Sequence, residues 1–190
     1  MKIIVIDKPE DEEKINKLLF SKPEEKEERI PLIKLFLTDC DGCLTDGGMY
    51  YSEFGDELKK FNTKDGMAFK LLQEKGILTG IITGENVELN NRRAKKMSVD
   101  IIKSGCNNKA LVVSEICSEF GIDLENVCYI GDDINDIDLI KLVGYGCAPY
   151  DASLEVKRVA KYITRAKGGE GVIREVAERI LLNIPSVEFS

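Results

Sequence analysis

From Lys34 onward the chain alternates between short apolar runs and longer segments whose apolar residues recur at helical spacing. The apolar runs fall at Leu35–Thr38, Ile77–Thr83, Val99–Ile102, Val127–Ile130 and Tyr145–Ala148, with a short sixth at Tyr162–Thr164. The helical patterns between and after them cover Asp65–Gln73, Asn86–Met97, Lys109–Phe120, Asn135–Val143, Leu154–Ala160 and Gly171–Leu182. Strands without polar alternation are buried on both faces, and a helix after each strand brings the next one back parallel. The expected fold class is therefore α/β, a doubly wound parallel sheet. In such sheets ligands bind beyond the carboxyl ends of the strands, so the polar residues at those ends carry the functional argument.

One connection breaks the rhythm. Between Leu44 and Asp65 no helical pattern occurs, and Gly47–Phe61 reads as a β-hairpin with its turn near Glu53–Asp56. Tyr50, Tyr51 and Phe54 crowd this insert, which predicts that it lies over the site or in an interface. Residues 1–32, with the charge run from Lys22 to Arg29, read as an N-terminal extension, and 33–190 as the folded domain.

The first apolar run leads into Thr38-Asp39-Cys40-Asp41-Gly42. Residues two apart on an extended chain share a side, so Asp39 and Asp41 emerge together. Adjacent carboxylates repel, and a fold that keeps them side by side neutralises them with a metal or a shared proton. The second strand ends in Thr83-Gly84-Glu85, which places a hydroxyl and a closely approachable backbone at the sheet edge, followed by a helix expected from about Asn86. Lys109 opens the next helix, where a cation opposes the helix dipole unless an anion is near. The fourth strand ends in Gly131-Asp132-Asp133-Ile134-Asn135-Asp136. Such a cluster after a buried strand is costly unless it shares a cation or caps a helix, and Mg²⁺ is the hard ion that suits oxygen donors.

Several classes are excluded or disfavoured. A net charge of −7 without a basic stripe argues against nucleic-acid binding. No run of eighteen apolar residues is present, so no membrane span is expected, and the N-terminus lacks a signal-peptide pattern. The six cysteines are scattered and read as reduced fillers in a cytoplasmic protein, the pair Cys40 and Cys43 included. The absence of histidine removes His-based acid–base chemistry and His metal ligands, leaving carboxylates and Lys.

The order Asp-x-Asp, Thr-Gly, Lys and Gly-Asp-Asp-x-x-Asp, each at a successive strand end, resembles the haloacid dehalogenase superfamily of phosphohydrolases over about residues 34–182. The resemblance implies a Rossmann-like core, with Asp39 as nucleophile forming an aspartyl-phosphate and Asp41 as the acid and base. It implies Mg²⁺ held by Asp39, the backbone carbonyl of Asp41, and Asp132, with Asp133 or Asp136 in support, and a phosphoryl group bound by Thr83, Gly84 and Lys109. The hairpin, Asp65-Gly66 and Lys167-Gly168-Gly169-Glu170-Gly171 look more narrowly like the 3-deoxy-manno-octulosonate 8-phosphate phosphatase group. That group lacks a large cap domain and assembles as homotetramers in which a neighbour helps close each site. The tail at 168–171 is expected by this likeness to be a flexible closing segment. Glu85 departs from that group, which usually has Arg there, and looks like the sister branch acting on nine-carbon sugar acid 9-phosphates. The expected substrate is accordingly a nine-carbon 2-keto-3-deoxy acid 9-phosphate, of the deaminoneuraminate or N-acylneuraminate kind, with the eight-carbon octulosonate 8-phosphate as the alternative. Glu85, Arg93 and Lys96, expected on one helix face, and Lys64 are the candidate specificity residues. Two other classes compete. A non-catalytic oligomerisation module is countered by the intact acidic and basic set, and a phospho-accepting receiver domain by the Asp pair on the first strand.

Overall fold

The computed structural model describes residues 29–184. Most of the expected N-terminal extension lies outside them, but its end joins the domain: Ile30 packs on the core and Leu32 O accepts from the Asn126 side chain at 2.8 Å.

Among the described residues six parallel strands form the sheet: β1 (Leu35–Thr38), β4 (Leu78–Ile82), β5 (Ile101–Lys103), β6 (Val127–Ile130), β7 (Tyr145–Ala148) and β8 (Tyr162–Ile163). The spatial order β5-β4-β1-β6-β7-β8 puts β1 at the centre, with the chain winding out to one side before returning to the other. The reversal beside β1 creates the crevice that such sheets use for ligands. The insert, β2 (Tyr50–Ser52) paired antiparallel with β3 (Gly55–Leu58), stands apart as its own two-stranded sheet. An antiparallel bridge between Thr45 and Phe61 pins its base beside the end of β1.

Among the described residues six helices cover the sheet: α1 (Thr63–Gln73), α2 (Glu88–Met97), α3 (Lys109–Phe120), α4 (Ile137–Leu142), α5 (Leu154–Val159) and α6 (Val172–Leu182). Alternation along β1 splits the core in two. Phe36 joins Phe69, Leu72, Val176 and Ile180 of α1 and α6 on one face, while Leu35 and Leu37 join Val113, Ile116, Leu139 and Ile140 of α3 and α4 on the other. Phe36 meets Phe69 edge-on at 6.0 Å between ring centres. Full burial of one such side chain stabilises by roughly 1.5–3 kcal/mol, so both layers anchor the central strand that carries the Asp pair.

Element boundaries shift where side chains take over backbone partners. The helix expected from Asn86 starts at Glu88, because Thr83 Oγ1 accepts from Glu85 N at 3.2 Å and holds the intervening loop open. The strand expected from Val99 starts at Ile101, because Ser98 turns left-handed at φ 55° and Val99 N closes α2 onto Ala94 O. The helix expected from Asn135 is a tight turn over Ile134–Asp136 and then α4, because Asp133 and Asp136 cap each other's backbone.

Candidate active site

Beyond β1 the chain makes one wide turn over Cys40–Leu44, closed by Thr45 N donating to Cys40 O at 3.0 Å. Asp39 stays extended, and its Oδ1 accepts from Cys40 N at 2.7 Å. Gly42 reverses the chain at φ 79°, a region open to glycine at little cost. A β-carbon there would lie 2.0 Å from Asp132 Oδ2, so the glycine also lets the β1 and β6 loops close together.

Lys109 ties those loops into one unit. Its buried ammonium lies 2.7 Å from Asp39 Oδ2 and 2.7 Å from Asp136 Oδ1. Asp136 is fully buried, and its four acceptor contacts are all internal. Oδ1 takes Lys109 and the Tyr129 hydroxyl at 2.5 Å, and Oδ2 takes the backbone N–H groups of Asp132 at 3.0 Å and Asp133 at 3.3 Å. Asp133 is exposed and caps its own turn through Ile134 N at 2.8 Å. Oxygens of Asp39, Asp132 and Asp136 gather within 4.8 Å of one another. Burial pushes the Asp39 carboxyl up to about 6 against the pull of Lys109. Burial and then the carboxylates of Asp39, Asp136 and Asp133 push Asp132 up to about 7.

This is a donor set in need of positive charge. Asp136 is saturated by internal partners, whereas among the described residues the Asp132 carboxylate meets only the Cys43 thiol, at 3.8 Å through Oδ1. Asp39 and Asp132 therefore fit a hard divalent ion, with Asp136 holding the loop that presents Asp132. The Asp41 side chain, placed by sequence among the metal residues through its backbone, does not join the carboxylate cluster. Oxygen donors of this kind suit Mg²⁺.

Asp41 faces a different group. Both of its oxygens accept from Lys59 Nζ at 2.8 Å, and Oδ1 also accepts from Thr45 Oγ1 at 3.2 Å. Lys59 Nζ reaches Glu85 Oε2 as well, at 2.5 Å. Burial alone would lower the Lys59 ammonium, but the two carboxylates outweigh it and hold it above its ordinary value. Lys59 was missed in the sequence. Its signal was alternation: Lys59 and Phe61 are two apart on the hairpin return, and Phe61 packs against the core.

Thr83 is buried just past β4, at the same edge, and Cys106 N donates to its carbonyl at 3.0 Å; Gly84 is exposed next to it. The specificity candidates separate. Glu85 precedes α2 instead of sharing its face, because the loop from Thr83 delays the helix. Arg93 turns inward: Nη2 donates to Asn62 O at 2.9 Å and its guanidinium covers the Phe61 ring at 5.3 Å. Lys96 and Lys64 are exposed, Lys64 in the first turn of α1.

The Gly-rich tail also departs from expectation. Gly168 and Gly169 are buried against this chain's own Asp turn, with Gly169 N donating to Cys43 O at 3.0 Å and Gly168 N to Asp151 Oδ1 at 2.9 Å. A β-carbon on Gly168 would lie 2.2 Å from Gly42 O, so the segment is a packed buttress instead of a flexible closing segment. All six cysteines are free; burial holds the Cys40 and Cys43 thiols well above the usual range, so neither is a thiolate nucleophile.

Comparison with known proteins identifies the family and the fold. A family model described as haloacid dehalogenase-like hydrolase matches residues 76–176. The chain is 36% identical over 150 residues to the 3-deoxy-D-manno-octulosonate 8-phosphate phosphatase of Escherichia coli K12, covering 79% of this chain and 80% of that one. The solved structure of the Moraxella catarrhalis enzyme of that name, in complex with magnesium ion, phosphate ion and a KDO molecule, superposes with TM-score 0.81. It is 34% identical and covers 84% of this chain and 93% of its own. The Yersinia pestis enzyme structure gives TM-score 0.79 at 36% identity, covering 82% and 84%. The chain thus has the haloacid dehalogenase-like α/β fold without a large cap among its described residues, and it belongs to that hydrolase family as a phosphomonoesterase.

Proposed function

We propose that this chain hydrolyses a sugar acid phosphate, with the eight-carbon 3-deoxy-manno-octulosonate 8-phosphate preferred, through an aspartyl-phosphate on Asp39. The observation that carries the reaction is Lys109 Nζ at 2.7 Å from Asp39 Oδ2, at the crevice beside β1. An Asp39 oxygen is thereby fixed where a phosphoryl group bound by Lys109 and Thr83 would sit. Asp39 attacks phosphorus, the bond from phosphorus to the sugar oxygen breaks, and Asp41 gives its proton to that oxygen. Asp41 then takes a proton from a water that attacks the aspartyl-phosphate, which regenerates Asp39 and releases phosphate. Asp39, Asp132 and the Asp41 carbonyl would hold Mg²⁺, which would supply positive charge to offset that of the transferring phosphoryl group.

The relatives' names favour the eight-carbon acid. The nine-carbon reading rests on Glu85, and here Glu85 is engaged with Lys59 instead of sharing a free face with Arg93 and Lys96. A homotetramer is part of the proposal, supported by Tyr50, Tyr51, Phe54 and Leu58, which are 61% to 87% exposed on the hairpin of the single chain. A cytoplasmic location is also proposed; no helix among the described residues is long and apolar enough to cross a membrane.

The test is Mg²⁺-dependent phosphate release from both sugar acid phosphates side by side. A higher kcat/KM for the eight-carbon substrate is expected. The reverse order would reinstate the nine-carbon acid, and no release from either would overturn the phosphatase reading of the site.

A further inference from the structure

Lys59 lies one residue beyond β3, on the return of a hairpin that exposes Tyr50, Tyr51, Phe54 and Leu58, yet its side chain is only 1% exposed. An ammonium has three donors and no acceptor, and this one spends its contacts on carboxylates of two different loops. Asp41 is gripped through both oxygens and again by Thr45, while Glu85 holds Lys59 from the far side. Asp41 is only two residues from Asp39, but its carboxylate stays out of the acidic cluster that Asp39 forms with Asp132 and Asp136. A free Asp41 side chain would have other rotamers open to it. The Lys59 and Thr45 contacts select one.

Resting on the phosphatase reading above, we propose that Lys59 is a positioning residue that fixes the Asp41 carboxylate for proton exchange with the leaving oxygen. Glu85 then acts on the reaction through Lys59 and does not contact the sugar. This assigns a catalytic consequence to the hairpin: its return strand supplies the group that orients the acid. It also gives Glu85 a role independent of the length of the sugar chain.

The test exploits the leaving group. A sugar alkoxide needs a proton to depart, whereas the phenolate of p-nitrophenyl phosphate does not. Lys59→Met, Lys59→Arg and Glu85→Gln are compared with the parent in single-turnover phosphorylation by octulosonate 8-phosphate and in the burst of p-nitrophenol. Lys59→Met is expected to slow phosphorylation by the sugar acid phosphate about 10²-fold, the ordinary worth of a positioned proton donor, with little change in KM. It should lose far less of its p-nitrophenol burst, and Lys59→Arg should recover part of the sugar rate. Glu85→Gln should repeat the pattern more weakly, and combining it with Lys59→Met should add nothing.

Equal losses with both substrates, or none with either, would overturn the proposal. A loss confined to KM for the sugar would do the same, by making Lys59 and Glu85 direct sugar contacts. Glu85 is a third exposed, so its variant keeps the test open if Lys59→Met folds poorly. Absence of phosphate release by the parent protein would instead count against the phosphatase reading itself.

Discussion

The two halves of the site are built in opposite ways. The strand-end half, Asp39 with Lys109, Asp136 and Tyr129, is buried in the domain, and Asp136 has an internal partner for each of its four contacts. The hairpin half, Asp41 with Lys59 and Glu85, is assembled from an insert whose aromatic residues face outward. A related contrast separates Asp136 from another buried carboxylate. Asp136 is saturated, whereas Asp65, just after the hairpin, is equally buried but leaves Oδ2 without a partner. The phosphoryl-handling half is thus a property of the sheet. The half built around Asp41 depends on how a surface insert docks.

The largest effect tests the strand-end half. Asp39→Asn should reduce phosphate release by about four orders of magnitude or more, as expected for a lost nucleophile, with the thermal melt little changed. Turnover near the parent rate would place the chemistry elsewhere. Lys109→Met should be lower in both activity and stability. It leaves Asp39 and Asp136 facing each other across a buried gap, and breaking a buried ion pair from one side costs about 3–5 kcal/mol. Denaturant unfolding without added divalent ion measures this, and a cost under about 1 kcal/mol, the range of exposed pairs, would contradict the integrated cluster described here.

The smallest effect is in pH dependence. Asp65 Oδ1 accepts from Arg174 N at 3.0 Å and so caps α6, while burial raises its carboxyl from 3.8 to about 6. A folded-state value above the unfolded one means that the folded chain binds the proton more tightly. That stability is present below about pH 4 and is lost as pH rises to about 6, at most about 3 kcal/mol. Asp65→Asn keeps an accepting oxygen but cannot ionise, so it should unfold at higher denaturant than the parent above pH 7, and the gap should close as pH falls to about 4. A gap independent of pH would mean that the effect is packing alone.

Much of this was legible because it is local. The strand and helix order follows from apolar runs and helical spacing, and the Asp pair, Thr83, Lys109 and the Asp132–Asp136 cluster stand at strand ends that any winding of this kind brings to one edge. What was illegible came from contacts distant in sequence. Glu85, Arg93 and Lys96 looked coaxial on spacing alone, but a Thr83 side-chain bond delays the helix and Arg93 is drawn to Asn62 and Phe61. The glycines at 168 and 169 suggested freedom, whereas they are small because the Asp turn packs against them.

The amino-acid sequence by itself determined the fold class and the strand-end positions of Asp39, Thr83, Lys109 and the Asp132–Asp136 cluster, since periodicity and strand-end position are properties of a single stretch of chain. Only the tertiary structure decided which carboxylates share a cluster, that Asp41 lies outside it and on Lys59, and that the same lysine joins Asp41 to Glu85. Those outcomes depend on where an ammonium from the hairpin docks, 18 residues from Asp41 and 26 from Glu85 along the chain, and no local pattern records such a meeting.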